Sequence, residues 1–442
     1  MIKYLALTLL SLGALSIHAQ NSILPANGEL DVYFSGRIQN LATDSTLVPY
    51  TIGKKIKQKD AEQYKALLWE AYRSQVNRLA PLVTATKVPS EDIPTHSWSL
   101  IKEDPMPFYY ILKGSHEAKQ KILPLFLALH GSGPKDAEFA ATLALCQSYK
   151  DSPSYYFIPQ IPTKKRYRWW YKPEQYAWEK LFRSAFSSGS INPNKVYIMG
   201  ISEGGYGSQR LGAFYADYLA GAGPMAGGEP LENAPVQNYS NTAFSLETGA
   251  EDNGFGRNTL TLRAKAVFDS LEALYPGQYV HKIVLQEGKV HHIDYSVTTP
   301  WLKEFNRHPH PLEFNWIRFA MDGRYRSGFY NLALEKDLGT TENAGFDRTF
   351  FYVKFDKANN EIHIEAHLTN PELSAQKQIT KGQLAIFLDT QYVDFNKRVT
   401  VFLNGKRVYR KKVNLDIQNM VESCALYGDP ERIFPGKISI SL

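Results

Sequence analysis

Residues 196–210, VYIMGISEGGYGSQR, contain the turn that decides the fold. Four residues that favour strands, Val196 to Met199, end at Gly200, and Ser202 follows inside a G-x-S-x-G pattern. The pattern predicts a buried strand, a sharp strained turn that lifts the serine hydroxyl out of a sheet, and then a helix. Because short patterns also occur by chance, an incidental serine in a glycine-rich turn is the alternative until partner residues are found.

Partners for the serine lie further along the chain. A serine hydroxyl needs a base to become a nucleophile, and the base needs a carboxylate to orient it, in the chain order serine, acid, histidine. The segment TAFSLETGAEDNGFGR offers Asp252 just after a predicted strand, with Glu251 as the second choice. The segment VLQEGKVHHIDY offers His291 and His292, which face apart because they are adjacent. We predict Ser202, Asp252 and His291 as the reacting set, with the base open to a shift by one position.

A second turn supplies backbone donors for a developing negative charge. The stretch LFLALHGSGP at 125–134 predicts a strand that runs into a glycine-rich turn. Backbone amides of Gly131 and Ser132 there, with that of Glu203 after the serine, form the predicted oxyanion hole, and each donor contributes on the order of 3 kcal/mol. A phosphate-binding loop is excluded because no Walker lysine follows.

Strand and helix patterns alternate through the middle of the chain. Apolar runs predict strands at 107–114, 122–131, 154–160, 195–200, 219–227, 242–250 and 279–288, with helices at 174–186, 203–217 and 259–274 between them. This alternation predicts an α/β fold in which helices cover both faces of a mostly parallel sheet. We assign this domain to 105–307.

The two ends of the chain have different patterns. Residues 20–104 form a predicted N-terminal extension with an amphipathic helix at 59–79. After the proline-broken segment HPHP, residues 311–442 show short alternating strands, which predict a small β-sandwich-like domain. The pairs Asn359-Asn360 and Asn404-Gly405 stand where hairpin turns belong, and Asn-Gly is the strong signal for a type I′ turn.

The motifs ALHGSGP, MGISEGGYG, GAED and GKVHHIDY together resemble the α/β-hydrolase superfamily over roughly 105–305. The resemblance is to its secreted esterase, dienelactone-hydrolase-like or prolyl-oligopeptidase-like branch. It implies Ser202 as nucleophile, Asp252 as acid and His291 as base, without a cofactor. Relatives often have glycine directly before the histidine, where this chain has Val290, and no β-propeller precedes the domain. The absent propeller weakens an oligopeptidase interpretation.

Composition and the N-terminal sequence limit the partners and the cellular location that we expect for this protein. The chain has 50 basic and 44 acidic residues, spread without a nucleic-acid-binding signature, so nucleic acid is not an expected partner. Residues 1–19 predict a signal peptide, and therefore a secreted or periplasmic protein without stable membrane insertion. The two cysteines exclude a cysteine-based zinc site by number. A metal site from His291, His292, His308 and His310 lacks acidic partners, and we predict none.

Aromatic residues crowd the segment 164–178, and Trp169, Trp170 and Tyr171, with Met225, are predicted to line the substrate site. Aromatic rings stack on sugars and aryl groups, although they also fill cores. The expected substrate is therefore a small-molecule or glycan-linked ester. A serine peptidase and a non-catalytic glycan-binding protein on a hydrolase scaffold are the alternatives, and the oligomeric state is left open.

Overall fold

The computed structural model describes residues 27–39, 46–114, 122–162 and 168–442. The signal peptide predicted at 1–19 lies outside these ranges, and so do residues 164–167 of the aromatic segment 164–178.

The elements up to residue 310 belong to the N-terminal helices and one large sheet. In chain order they are α1 (Asn27–Gln39), α2 (Ala61–Leu79), β1 (Thr86–Val88), β2 (His96–Leu100), β3 (Glu103–Lys113), β4 (Leu123–Leu129), α3 (Lys135–Ser148), β5 (Ser154–Pro159), α4 (Lys172–Ser188), β6 (Ile191–Ile201), α5 (Glu203–Phe214), β7 (Gly221–Met225), β8 (Ala243–Gly249), α6 (Arg257–Leu274), β9 (His281–Gln286) and α7 (Thr298–Leu302).

The elements after residue 310 are mostly strands. They are β10 (Glu313–Arg318), β11 (Gly328–Phe329), β12 (Leu332–Lys336), β13 (Arg348–Asp356), β14 (Glu361–Thr369), β15 (Gln376–Lys377), β16 (Gln383–Leu388), β17 (Val399–Leu403), β18 (Lys406–Lys411), α8 (Ile417–Tyr427) and β19 (Gly436–Ser441). Short 3₁₀ turns occupy Gln58–Asp60, Ala216–Tyr218, Val236–Tyr239, Gly254–Gly256 and Thr340–Glu342.

The large sheet has the strand order β1-β3-β5-β4-β6-β7-β8-β9, with β2 paired to β3. From β5 onward the strands are parallel, whereas β3 runs antiparallel to β5. Successive residues of β4 point to opposite faces, so Leu127 packs with α4, α5 and α6, and Phe126 packs with α3 and α7. The predicted α/β class, with helices on both faces of a mostly parallel sheet, is confirmed.

The large sheet begins earlier in the chain than residue 105, the predicted start of this domain. Strands β1 and β2 pair with β3, in parallel and antiparallel orientation. The sequence pattern predicts no strand within residues 80–104, and prolines stand there at 81, 89 and 94. Strands β1 and β2 are short edge strands, and proline is tolerated at the ends of such strands.

Two further sheets form the C-terminal region. One has the order β10-β13-β14-β17-β18, with β15 beside β14, and the other has the order β11-β12-β16-β19. Their facing side chains share one apolar core that includes Phe351, Ile364 and Ile386. Asn404 and Gly405 both have positive φ, +47° and +75°, between β17 and β18, which is the geometry that the Asn-Gly pair predicts.

Helix α8 of the C-terminal region packs on the N-terminal helices. Leu68, Tyr72 and Val76 of α2 lie on one buried stripe, as the predicted amphipathic helix requires, and they share a core with Met420 and Cys424. The N-terminal extension therefore contacts the C-terminal region as well as the large sheet.

A buried ion-pair cluster joins the large-sheet part to the C-terminal region. Asp217, beside α5, pairs with Arg326 and with Arg432, whose Nη1 lies 2.5 Å from Oδ2. Asp429 pairs with Arg307 at 2.6 Å and with Arg432 at 2.7 Å. Burial alone raises the pKa of each carboxyl, but the arginines hold both pKa values below their usual range. The cluster therefore stays charged although it is buried.

Candidate active site

Ser202 stands on a strained turn between β6 and α5. Its φ of +55° and ψ of −114° lie outside the regions that a serine ordinarily adopts. A Cβ atom at Gly200 would lie 2.3 Å from the carbonyl oxygen of Gly204, and one at Gly204 would lie 2.1 Å from that of Leu129. Only glycine fits at either place, so the tight packing of α5 on the sheet requires both glycines.

His291 connects the serine to a buried carboxylate. Its Nε2 lies 2.9 Å from Ser202 Oγ, and its Nδ1 lies 2.7 Å from Asp252 Oδ2. Since the carboxylate only accepts, Nδ1–H donates to Asp252, and Nε2 is left to accept the hydroxyl proton of Ser202. Asp252 is 4% exposed, whereas the side chain of His291 is about half exposed. The three side chains therefore form one hydrogen-bonded series.

The same carboxylate is held from its other side. Nη1 of Arg257, at the start of α6, donates to Asp252 Oδ1 over 3.0 Å. The two oxygens of Asp252 thus have separate partners, and the carboxylate plane is fixed with respect to the imidazole.

The second choices for acid and base lie apart from this series. Glu251 is exposed, and His292 presents its ring edge-on to Tyr295 at 5.5 Å between centroids. The structure brings Asp252 and His291 to Ser202, and it does not bring Glu251 or His292 there.

The turn after β4 lies against the serine. An ideal Cβ on Gly131 would be 3.5 Å from Ser202 Cβ, and Ser132 lines the same cavity as Ser202. His130 supports this turn: its Nδ1–H donates to Gly131 O over 2.6 Å, and its Nε2 accepts from the Ile161 amide. Burial lowers the pKa of His130 to about 4, so this imidazole is neutral and keeps the tautomer that both bonds require.

Glu203 is the first residue of α5, so its backbone amide has no partner within the helix. Its carboxylate points to Arg168, with Nη1 and Oε1 2.9 Å apart. Burial raises the pKa of Glu203, and Arg168 opposes that rise. The amide lies next to Ser202 at the N-terminus of α5, and the side chain lies in the cavity wall.

A cavity of about 720 Å³ opens in front of Ser202. Its most unusual feature is charge: Arg168, Arg210 and Arg257 line it, together with Glu203 and Glu229. The sequence analysis did not single out any of these arginines, because charged residues on helices usually face solvent. One signal was present: Glu203, Tyr206 and Arg210 recur at helical spacing after Ser202, and all three line the cavity.

Among the aromatic residues predicted to line the site, only Trp170 lies in the cavity wall. Trp169 is fully buried, and its indole N–H donates to His130 O, so it supports the turn after β4. Met225 is also fully buried, and its carbonyl oxygen accepts from the Ser202 amide over 2.9 Å. Tyr171 packs on the core at the start of α4. These three side chains fill the structure behind the cavity because the strand ends beneath it need apolar support.

The described part of the chain holds no group of three or more histidine, cysteine, aspartate or glutamate side chains arranged to bind a metal ion. His310, considered above with the other histidines, lies in the C-terminal region between the rings of Tyr392 and Phe434. Nor does any described helix combine the length and apolar character needed to span a bilayer.

Comparison with solved structures returns esterases and serine hydrolases. A thermostable esterase is 18% identical, with a TM-score of 0.38, and the match covers 49% of this chain and 64% of that one. Est1E from Butyrivibrio proteoclasticus is 13% identical, with a TM-score of 0.32 and coverage of 48% and 96%. An S-formylglutathione hydrolase from Agrobacterium tumefaciens is 12% identical, with a TM-score of 0.35 and coverage of 48% and 91%.

No protein-family model matches this chain, and no curated protein sequence matches it either. The structural similarities cover about half of the chain at low identity.

Proposed function

We propose that this protein is an exported serine hydrolase that cleaves carboxylic esters through an acyl-enzyme. The observation that carries the proposal is the uninterrupted series from Ser202 Oγ to His291 at 2.9 Å and from His291 to Asp252 at 2.7 Å. A strained serine with an imidazole nitrogen within hydrogen-bond distance is the arrangement that nucleophilic catalysis needs.

In the proposed reaction, Ser202 Oγ attacks the ester carbonyl carbon while His291 Nε2 takes its proton. Asp252 stabilises the imidazolium that forms, and Arg257 keeps the carboxylate oriented. The oxygen of the tetrahedral intermediate accepts hydrogen bonds from the backbone amides of the turn after β4 and of Glu203. His291 then protonates the departing alcohol. Water, deprotonated by the same nitrogen, attacks the acyl-enzyme and releases the acid.

The test is labelling with a fluorophosphonate probe, which reacts with an activated serine. We expect the wild-type protein to be labelled and Ser202→Ala to be unlabelled, with hydrolysis of p-nitrophenyl esters lowered at least about 10³-fold. Ser270→Ala is the matched control, because Ser270 is an exposed serine on α6 that bonds only to its own helix. Labelling that persists in Ser202→Ala would refute the proposal.

The same preparations distinguish the alternatives. Cleavage of aminoacyl amides in preference to matched esters would favour a serine peptidase. Absence of both labelling and hydrolysis in folded wild-type protein would favour a non-catalytic binding protein on this scaffold. His291→Ala should lose activity and His292→Ala should keep it, because only the ring of His291 reaches Ser202.

Export is a further part of the proposal, and it rests on the sequence of residues 1–19. N-terminal sequencing of protein expressed in a bacterial host with an export pathway tests it. Mature protein that begins just after Ala19 is the expected result, and an intact Met1 in exported material would contradict it.

A further inference from the structure

We propose that the substrate of this site is an ester that carries a carboxylate group, and that Arg210 is the main residue that binds this carboxylate. The inference rests on the proposed function, since it concerns the cavity in front of Ser202. It starts from a mismatch: an ester group is neutral, yet the cavity that would hold it is lined by Arg168, Arg210 and Arg257.

Arg210 is held rigidly. Its Nε and Nη2 donate to the two carboxylate oxygens of Glu229 over 2.6 and 3.0 Å, and its guanidinium carbon lies 4.0 Å from the ring centroid of Trp170. Two side chains therefore fix the plane of the guanidinium. Nη1 makes no hydrogen bond to Glu229, and no described residue accepts a hydrogen bond from it. A guanidinium fixed in this way loses little entropy when it binds an anion.

Glu229 does not compete for the substrate. Its side chain is 3% exposed, and its Oε2 also accepts from Asn233 Nδ2 over 2.9 Å. The side chain of Arg210 is 22% exposed. The carboxylate of Glu229 therefore holds the guanidinium of Arg210 in place, and this ion pair presents hydrogen-bond donors to the cavity.

This arrangement argues against a neutral sugar as the recognised group. Sugar hydroxyls need acceptors as well as donors, and both carboxylates that line the cavity are paired with arginines, Glu229 with Arg210 and Glu203 with Arg168. Stacking on Trp170 is also obstructed, because Arg210 lies over its ring at 4.0 Å and Arg168 lies 5.1 Å from the same centroid. A carboxylate accepts from two donors at once, which matches what the arginines offer.

Arg257 extends the donor set toward the reaction centre. It is 8% exposed, lines the cavity and pairs with Asp252, and its Nε has no hydrogen-bond partner among the described residues. The backbone of Gly228, next to Glu229, packs directly on Arg257. Arg257 therefore contacts Asp252 and also lines the cavity, next to the segment that carries Glu229.

The test compares matched esters that differ only in charge. On the acyl side, the mono-p-nitrophenyl ester of adipic acid is compared with that of its monoamide; on the alcohol side, 4-acetoxybenzoate is compared with 4-acetoxybenzamide. We expect kcat/KM for the acid member of at least one pair to exceed that of the amide by about 10-fold or more. Ratios near one in both pairs, or preference for the amides, would overturn the inference.

Two substitutions assign the effect to Arg210. Arg210→Gln should lower the acid-to-amide ratio to near one, and Glu229→Gln should raise it, because the guanidinium then lacks its counter-charge. A neutral sugar-binding site would give no rise in Glu229→Gln. Arg263→Gln is the matched control, since Arg263 is an exposed arginine on α6 that pairs with Glu232 outside the cavity. Because each ratio is measured within one protein, incomplete folding of a variant cancels.

Failure of this inference is distinguishable from failure of the proposed function. If Ser202 is labelled by the fluorophosphonate and both members of each pair are hydrolysed at equal rates, the proposed hydrolase function is supported. Only the proposal that the substrate carries a carboxylate is then refuted. Absence of labelling refutes the proposed function itself.

Discussion

At the scale of single residues, Gly204 packs tightly on the backbone of Leu129, because a Cβ atom at Gly204 would lie 2.1 Å from Leu129 O. Gly204→Ala should destabilise the protein by about 3 kcal/mol or more, because a methyl group there can only be accommodated if α5 moves off the sheet. Urea unfolding measures the change. Gly36→Ala in α1 is the control, because no atom lies within 4 Å of its new Cβ, and it should be neutral or stabilising by up to about 1 kcal/mol. Equal effects of the two substitutions would contradict this account of the turn.

Glu174, in the first turn of α4, is fully buried, and neither carboxylate oxygen has a hydrogen-bond partner in the described residues. Burial raises the pKa of Glu174 from its ordinary 4.5 to about 8. Between these values the folded state keeps a proton that the unfolded chain releases. The contribution of this group to the free energy of unfolding therefore falls as pH rises through that window.

Glu174→Gln keeps the shape of the side chain and removes its titration. The difference in the free energy of unfolding between this variant and the wild type should grow in the variant's favour from pH 5 to pH 8, by at most about 1.4 kcal/mol per pH unit. Urea titrations at several pH values measure it. Parallel pH profiles for the two proteins would show that the carboxyl does not titrate in this window.

Some residues of the site can be recognised from the sequence alone, and others cannot. Ser202, Asp252 and His291 could be singled out because each follows a strand pattern in a fixed chain order, and the structure brings the three together. Arg210 could not, because its significance depends on Glu229 and on the ring of Trp170, which reach it through the fold. Contacts of this kind leave no local pattern.

At the scale of elements, the hairpin between β17 and β18 depends on one side chain. Asn404 accepts from the Ala366 amide over 2.8 Å and donates to the Ala366 carbonyl over 3.1 Å, while its own φ is +47°. Asn404→Ala should destabilise by about 2–3 kcal/mol, because it loses two hydrogen bonds and puts a Cβ-bearing residue without a polar side chain in a left-handed conformation.

Asn404→Gly separates the two causes. It removes the hydrogen bonds to Ala366 but tolerates the backbone, so we expect it to cost less than Asn404→Ala by roughly 1 kcal/mol in thermal unfolding. If both variants are equally destabilised, backbone strain contributes nothing at this turn.

Elements whose pattern is local were predictable, and those defined by their neighbours were not. Buried parallel strands such as β4 are continuous apolar runs, so their positions follow from composition. Strand β1 has three residues and β2 has five, and both are strands only because the long β3 lies beside them. Their short patterns among prolines resemble those of a loop.

At the scale of the whole molecule, stability depends on charges buried between the large sheet and the C-terminal region. Asp217→Asn should destabilise by about 3–5 kcal/mol, because Arg326 and Arg432 are left buried with less compensation. Glu342→Gln is the control: this exposed carboxylate pairs with the half-exposed Lys381 and should cost about 1 kcal/mol or less. A cost for Asp217→Asn no greater than that of the control would mean that the cluster is not stabilising.

The positions of these charges along the chain also determine when, during synthesis, each ion pair can form. Asp217 and Arg432 are 215 residues apart, so Asp217 can pair with its second arginine only after the residues between them have been synthesised. The serine turn lies just upstream of Asp217 on the same helix–turn segment. A product that ends before Arg432 would keep the pair of Asp217 with Arg326 and lose the pair with Arg432. Both arginines come from the C-terminal region, so this region contributes directly to the stability of the segment that follows the nucleophile.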